Sequence, residues 1–162
     1  MAIAEWQRMA TTKTLLAAVL TLSTLVVGCE QQGETVGARG GVISSDDGRV
    51  TLDVPAGALT HEVELTIELV DDSREGVVGA VYAIEPAGVQ FMFPATLTYD
   101  LAADAGDETR AFDRTDVSMD DLVLVTEKAD RWAPMADREV DEDAQVLSAS
   151  VIFTSTYAIV TR

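Results

Sequence analysis

The sequence predicts an all-β fold, an antiparallel β-sandwich, on three observations. From Val42 onward, apolar and polar residues alternate in short runs. Proline, glycine and aspartate separate those runs. No segment carries the 3.6-residue apolar stripe of an amphipathic helix. Period-two alternation over four to eight residues marks a strand with one face buried and the other in water. Several such strands divided by turn residues argue for a sandwich.

Each element follows from its residues. Asp46, Asp47 and Gly48 stand between two apolar stretches and predict a hairpin turn. In "RVTLDV", Val50, Leu52 and Val54 share one face, with Thr51 and Asp53 on the other. Pro55 cannot donate to a ladder and ends that strand. Gly57 is placed to take a positive φ, turning the chain over the edge of the core, and Ala58 and Leu59 tuck back inward. "EVELTIELV" directs Val63, Leu65, Ile67 and Leu69 inward and Glu62, Glu64, Thr66 and Glu68 outward. Glutamate weakens β propensity but is tolerated on a wet face. Pro86, Gly88 and Pro94 open or close strands. "TLTYDL" aligns Leu97, Tyr99 and Leu101, and "STYAIVT" alternates around Tyr157 and Ile159.

Residues 40–162 form the folded domain on this reading. "GGVISSDDGRVTLDVPAGALTHEVELTIELV" resembles the opening of the ZU-five domain. That family's Gly pair, hairpin, alternating strand and Pro-x-Gly-Ala-Leu element correspond to Gly40, Gly41, Gly48, Val50, Leu52, Val54, Pro55, Gly57, Ala58 and Leu59. "YAIEPAGVQFMFPATLTYDL" is similar to the family's Pro-x-Gly, aromatic, Pro-x-x-Leu stretch through Pro86, Gly88, Phe91, Pro94 and Leu97. Trp132 and "IFTSTYAIV" fit the tryptophan-bearing and closing strands. Some members cleave themselves between Phe and Ser of a His-Phe-Ser motif, where the hydroxyl attacks its preceding carbonyl. The corresponding residues here are Ile152, Phe153 and Thr154. Thr154 carries a hydroxyl, but Ile152 cannot move a proton, so self-cleavage at Phe153–Thr154 is not expected.

The chain has 162 residues, 48% of them hydrophobic, enough for one domain with a packed core. Its formal net charge of −17 disfavours nucleic acid and anionic lipid surfaces as electrostatic partners. A solvated acidic surface is the expectation. Acidic runs crowd several turns: Asp46 with Asp47, Asp71 with Asp72, Asp104 with Asp107 and Glu108, and Asp137 with Glu139, Asp141, Glu142 and Asp143. None matches a calcium-binding EF-hand loop. They are read as loop carboxylates, with no metal site and no cofactor expected. His61, the only histidine, lies between a turn and a strand and is assigned no role. No catalytic set is formed, so the chain is not read as an enzyme.

Cys29 is the only cysteine, which excludes an intrachain disulfide and a paired-cysteine metal site. A buried thiol, an intermolecular link, a nucleophile and a modification site remain. The preceding residues separate them. Arg8 and Lys13 precede an uncharged apolar run over residues 14–27. That run is shorter than the ~20 residues a spanning helix needs, and basic residues, a short apolar run and a small residue form the signal-peptide pattern. Met9 offers an alternative start to Met1, with a cleaner basic region.

Val26, Val27, Gly28 and Cys29 resemble the lipobox of bacterial lipoproteins. The resemblance implies diacylglycerol on the Cys29 sulfur and cleavage between Gly28 and Cys29. Residues 1–28 are then a signal peptide, and residues 29–39, glycine-rich and without an apolar period, a flexible tether. Glu30 follows the cysteine where some bacteria use Asp to hold lipoproteins at the inner membrane, so the outer membrane is favoured. The functional expectation is a lipid-anchored envelope protein acting as a non-catalytic interaction module. Its partners are the membrane, through the anchor, and an envelope protein or glycan, with a calcium- or glycan-binding adhesion module as the alternative.

Overall fold

A computed structural model describes residues 33–71, 74, 76–102 and 118–162. They form eleven strands: β1 (Glu34–Val36), β2 (Gly41–Ser44), β3 (Val50–Val54), β4 (Val63–Val70), β5 (Val81–Glu85), β6 (Gln90–Asp100), β7 (Leu122–Lys128), β8 (Arg131–Pro134), β9 (Glu139–Asp141), β10 (Val146–Phe153) and β11 (Thr156–Thr161). Two antiparallel sheets pack face to face, one ordered β1-β4-β5-β11-β7-β8 and the other β2-β3-β6-β10-β9. The expected β-sandwich is the observed architecture.

Alternation sets the core. Val50, Leu52 and Val54 of β3 meet Ile43 of β2, Leu97 and Tyr99 of β6, and Leu147, Ala149 and Val151 of β10. Facing them are Leu65 and Ile67 of β4, Tyr82 and Ile84 of β5, Leu122 and Leu124 of β7, and Tyr157 and Ile159 of β11. Each fully buried aliphatic side chain contributes roughly 1.5–3 kcal/mol against leaving it in water. The Tyr99 hydroxyl donates to the Tyr157 carbonyl at 3.0 Å, tying one sheet to the other. The Tyr82 and Tyr99 rings meet edge to face at 5.5 Å.

The structure departs from the sequence reading in three places. Residues 34–36, assigned to the tether, form β1 and pair with β4, with Val36 buried. Only one of these three side chains faces the core, so no period is visible in them. Leu69, expected inward, is 39% exposed along with Val70. Pro94 lies inside β6 rather than at its end, within the irregular register that faces Val151 to Phe153 of β10.

Trp132 lies outside the main core. It covers a second cluster on the outer face of the six-stranded sheet, formed by Val81, Val123, Val125 and Ala158. The β4–β5 connection helps cover this face. Val78 N–H donates to the Ile159 carbonyl at 2.8 Å, Arg74 stacks 3.8 Å over the Trp132 ring, and its guanidinium pairs with Glu127 at 2.8 Å.

Candidate functional site

Strand directions divide the connections between two ends of the sandwich. One end, called the top here, gathers turn 37–40, the Pro55–Leu59 turn, the Pro86–Val89 turn, the β6 irregularity, the β7–β8 hairpin and the β10–β11 corner. The bottom gathers the β2–β3 hairpin, the β4–β5 and β6–β7 connections, the β9–β10 turn and Arg162.

The top is built around turns that glycine permits. Gly57 has φ 83°, as its place after Pro55 predicted. Its N–H donates to the Ala38 carbonyl at 2.9 Å, and Met92 N–H donates to the Ala58 carbonyl at 2.8 Å. The Phe93 ring lies over Gly57, where an added Cβ would stand 3.3 Å from the ring. Gly40 is tighter. Its φ is 74°, and a Cβ there would stand 2.3 Å from the Val54 carbonyl oxygen. Above these turns β6 leaves regular pairing with β10, and Met92 (71%) and Phe93 (58%) project into solvent. Ile152, on β10 opposite the irregularity, is 54% exposed.

Beside this patch lies the Phe153–Thr154 junction. Thr154 is 1% exposed. Its hydroxyl donates to the Pro86 carbonyl at 2.6 Å and accepts from Val89 N–H at 2.9 Å. Its own N–H donates to the Val89 carbonyl, and its carbonyl accepts from Gly88 N–H. The Phe153 carbonyl accepts from the Tyr157 hydroxyl, whose pKa burial pushes up to about 12. The hydroxyl thus clamps one turn to the β10–β11 corner, and its proton is directed at a carbonyl, a poor base. Ile152 points outward, away from the buried hydroxyl. His61 is exposed in its turn and hydrogen-bonds Thr60 through Nδ1 at 3.2 Å.

Sequence reasoning missed the polar cluster at the bottom. Tyr82 OH donates to Asp47 Oδ2 at 2.6 Å, Ser45 OH donates to Oδ1 at 2.6 Å, and Arg49 N–H donates to Oδ1 at 3.2 Å. The Arg49 side chain lies 3.9 Å from the carboxylate and is itself buried. Burial pushes the Asp47 carboxyl up, but the Ser45, Tyr82 and Arg49 hydrogen bonds and the Arg49 charge outweigh it, leaving the group below the ordinary range. Burial, then the Asp47 hydrogen bond and charge, raises Tyr82 far above an ordinary tyrosine. Asp47 therefore joins the hairpin of one sheet to the other sheet. Its signal in the sequence was only a turn aspartate.

The acidic runs stay on the surface. Asp46, Asp71, Asp141, Glu142 and Asp143 are exposed. Among the described residues, no group of three or more His, Cys, Asp or Glu side chains is placed to hold a metal ion. The outer face of the five-stranded sheet instead carries hydroxyls. Register aligns Ser44, Thr51, Thr98 and Ser148 in one row ending at Glu139. Gly28 and Cys29, the signal segment, and Asp72, Asp104, Asp107 and Glu108 lie outside the described residues. No protein-family model matches the chain, and no curated protein matches it either.

Proposed function

We propose that the protein is a lipid-anchored component of the bacterial cell envelope whose β-sandwich serves as a non-catalytic interaction module of ZU-five type. The observation that carries the anchor is Val26-Val27-Gly28-Cys29, which closes an uncharged apolar run preceded by Lys13. Acylation explains why a single cysteine stands directly after that run. Each buried acyl methylene contributes about 0.8 kcal/mol, so two or three chains hold a protein durably where one holds it marginally. Glu30 favours the outer membrane.

The interaction role is supported by the top of the sandwich, where Met92, Phe93 and Ile152 stand exposed beside rigid turns. The Phe153–Thr154 bond is read as structural, because the Thr154 hydroxyl is engaged by Pro86 and Val89. A second reading, a glycan-binding adhesion module, is favoured by the hydroxyl row on the five-stranded sheet. Binding to a glycan array, lost on Thr98→Val, separates it from the first.

Growth of producing bacteria with a clickable palmitate tests the anchor. Label on the wild-type chain and none on Cys29→Ala is expected. An unlabelled wild-type chain with a free thiol would end the proposal.

A further inference from the structure

β1 covers only part of the edge it pairs with. Its three residues lie against residues 63–65, whereas β4 runs on to Val70. Among the described residues, no strand lies beside Glu68, Leu69 and Val70 on the side away from β5. Leu69, which alternation directs inward, is exposed there, and so is Val70. An edge of this kind is a template for one more stretch of extended chain.

The chain before β1 is directed onto that edge. β1 is antiparallel to β4, with Glu34 opposite Leu65 and Val36 opposite Val63, so the residues before Glu34 head toward the Val70 end, the bottom of the sandwich. Gly33 already follows this course. An added Cβ there would stand 2.6 Å from the Glu64 Cγ and 3.0 Å from the Thr66 Cγ2, so its backbone lies against β4 beyond the Glu34–Leu65 pair. The same register sets Gln32 opposite Ile67, Gln31 opposite Glu68, Glu30 opposite Leu69 and Cys29 opposite Val70. The length of chain fits: a polypeptide that begins at Cys29 begins level with the last residue of β4. The composition fits as well. The glycines of this region, Gly33, Gly37, Gly40 and Gly41, all lie within the described structure, and residues 30–32 hold neither glycine nor proline.

We propose that residues 30–32 extend β1 along β4 to its end, so that Cys29 is fixed to the bottom edge of the sandwich instead of being carried on a tether. The strand extension stands on register and chain length. The placement of the lipid at that edge rests in addition on the lipid-anchor reading.

The test uses the full acylated chain extracted from membranes, in which the lipid blocks the Cys29 sulfur and introduced thiols react alone. Gln31→Cys with Glu68→Cys places two thiols directly opposite, with Cβ atoms about 5 Å apart, where a disulfide closes with little movement. Gln31→Cys with Glu64→Cys separates them by four strand residues, about 13 Å, beyond disulfide reach. Glu64 and Glu68 stand two residues to either side of Thr66, the partner of Gly33, so a freely moving residue 31 would reach both alike. Under mild oxidation the first pair is expected to close nearly completely and the second almost not at all.

Equal closure of the two pairs, or closure of the second alone, overturns the strand extension. A disulfide-linked dimer of the chain carrying Glu68→Cys alone assigns the edge to a second copy and overturns it too. Intact mass of the same samples reports the acyl groups separately. Closure of the first pair in a chain that lacks them leaves the strand standing and overturns the placement of the lipid.

Discussion

Replacing Thr154 by Val keeps the side chain's shape and removes its hydroxyl. The hydroxyl serves two backbone groups of one turn, donating to Pro86 O at 2.6 Å and accepting from Val89 N–H at 2.9 Å. Thr154 is 1% exposed, while the two backbone groups it serves are part-buried. Leaving a buried polar group unpaired costs about 1–3 kcal/mol, and at the low end for each of these two Thr154→Val should cost about 2 kcal/mol. Thr154→Ser keeps both bonds and loses one methyl, for about 1 kcal/mol. Urea unfolding of both variants, followed by intrinsic fluorescence, gives the comparison. The valine variant should shift the midpoint well below the serine variant with an unchanged slope. A valine variant within about 0.5 kcal/mol of wild type, or equal losses in both, would refute the clamp. The same preparations bear on self-cleavage. Wild type and both variants should each remain one intact band, and fragments meeting at position 153–154 in wild type and Thr154→Ser but not in Thr154→Val would make the hydroxyl a nucleophile.

Three further outcomes follow from the geometry. Gly40→Ala should destabilise more than Gly57→Ala, because a Cβ at Gly40 meets backbone at 2.3 Å whereas one at Gly57 meets a ring at 3.3 Å; thermal melts rank the two. Asp47 titrates below its ordinary range in the folded state, so its contribution is present above the unfolded value and is lost as pH falls through the folded one. The stability gap between wild type and Asp47→Asn should therefore be full at neutral pH and shrink below about pH 4 in pH-dependent unfolding. Arg74→Ala removes the cation stacked 3.8 Å over Trp132, and iodide quenching of the mature chain should rise; unchanged quenching would show that the guanidinium does not cover the ring.

The sandwich was legible because β3, β4 and β6 each bury one face, so that Val50, Leu52 and Val54, or Leu97 and Tyr99, recur at every second position. Where a strand is covered on both faces, that signal vanishes. Leu122 to Val125 of β7 are all buried, two toward the main core and two beneath the Trp132 cluster, and they read as a plain apolar run. The Gly57 turn was readable because its backbone requirement is local. The Asp47–Tyr82 bond was not, since it joins residues distant in sequence through the packing of two sheets. Asp46 and Glu142 come to share one end of the sandwich only through topology, and Lys128 and Arg131 come together at the other only because a two-residue turn with positive φ at Ala129 and Asp130 reverses the chain. Exposure of Met92 and Phe93 ran against an otherwise apolar stretch, "FMFP", and arises where β6 leaves its register.

Intact-mass spectrometry of the protein extracted from membranes tests the central claim most directly. A chain beginning at Cys29 and heavier than residues 29–162 by a diacylglyceryl group and an amide-linked acyl chain is the predicted product. A polypeptide that retains residues 1–28, or one whose mass equals its amino acids alone, would contradict the account.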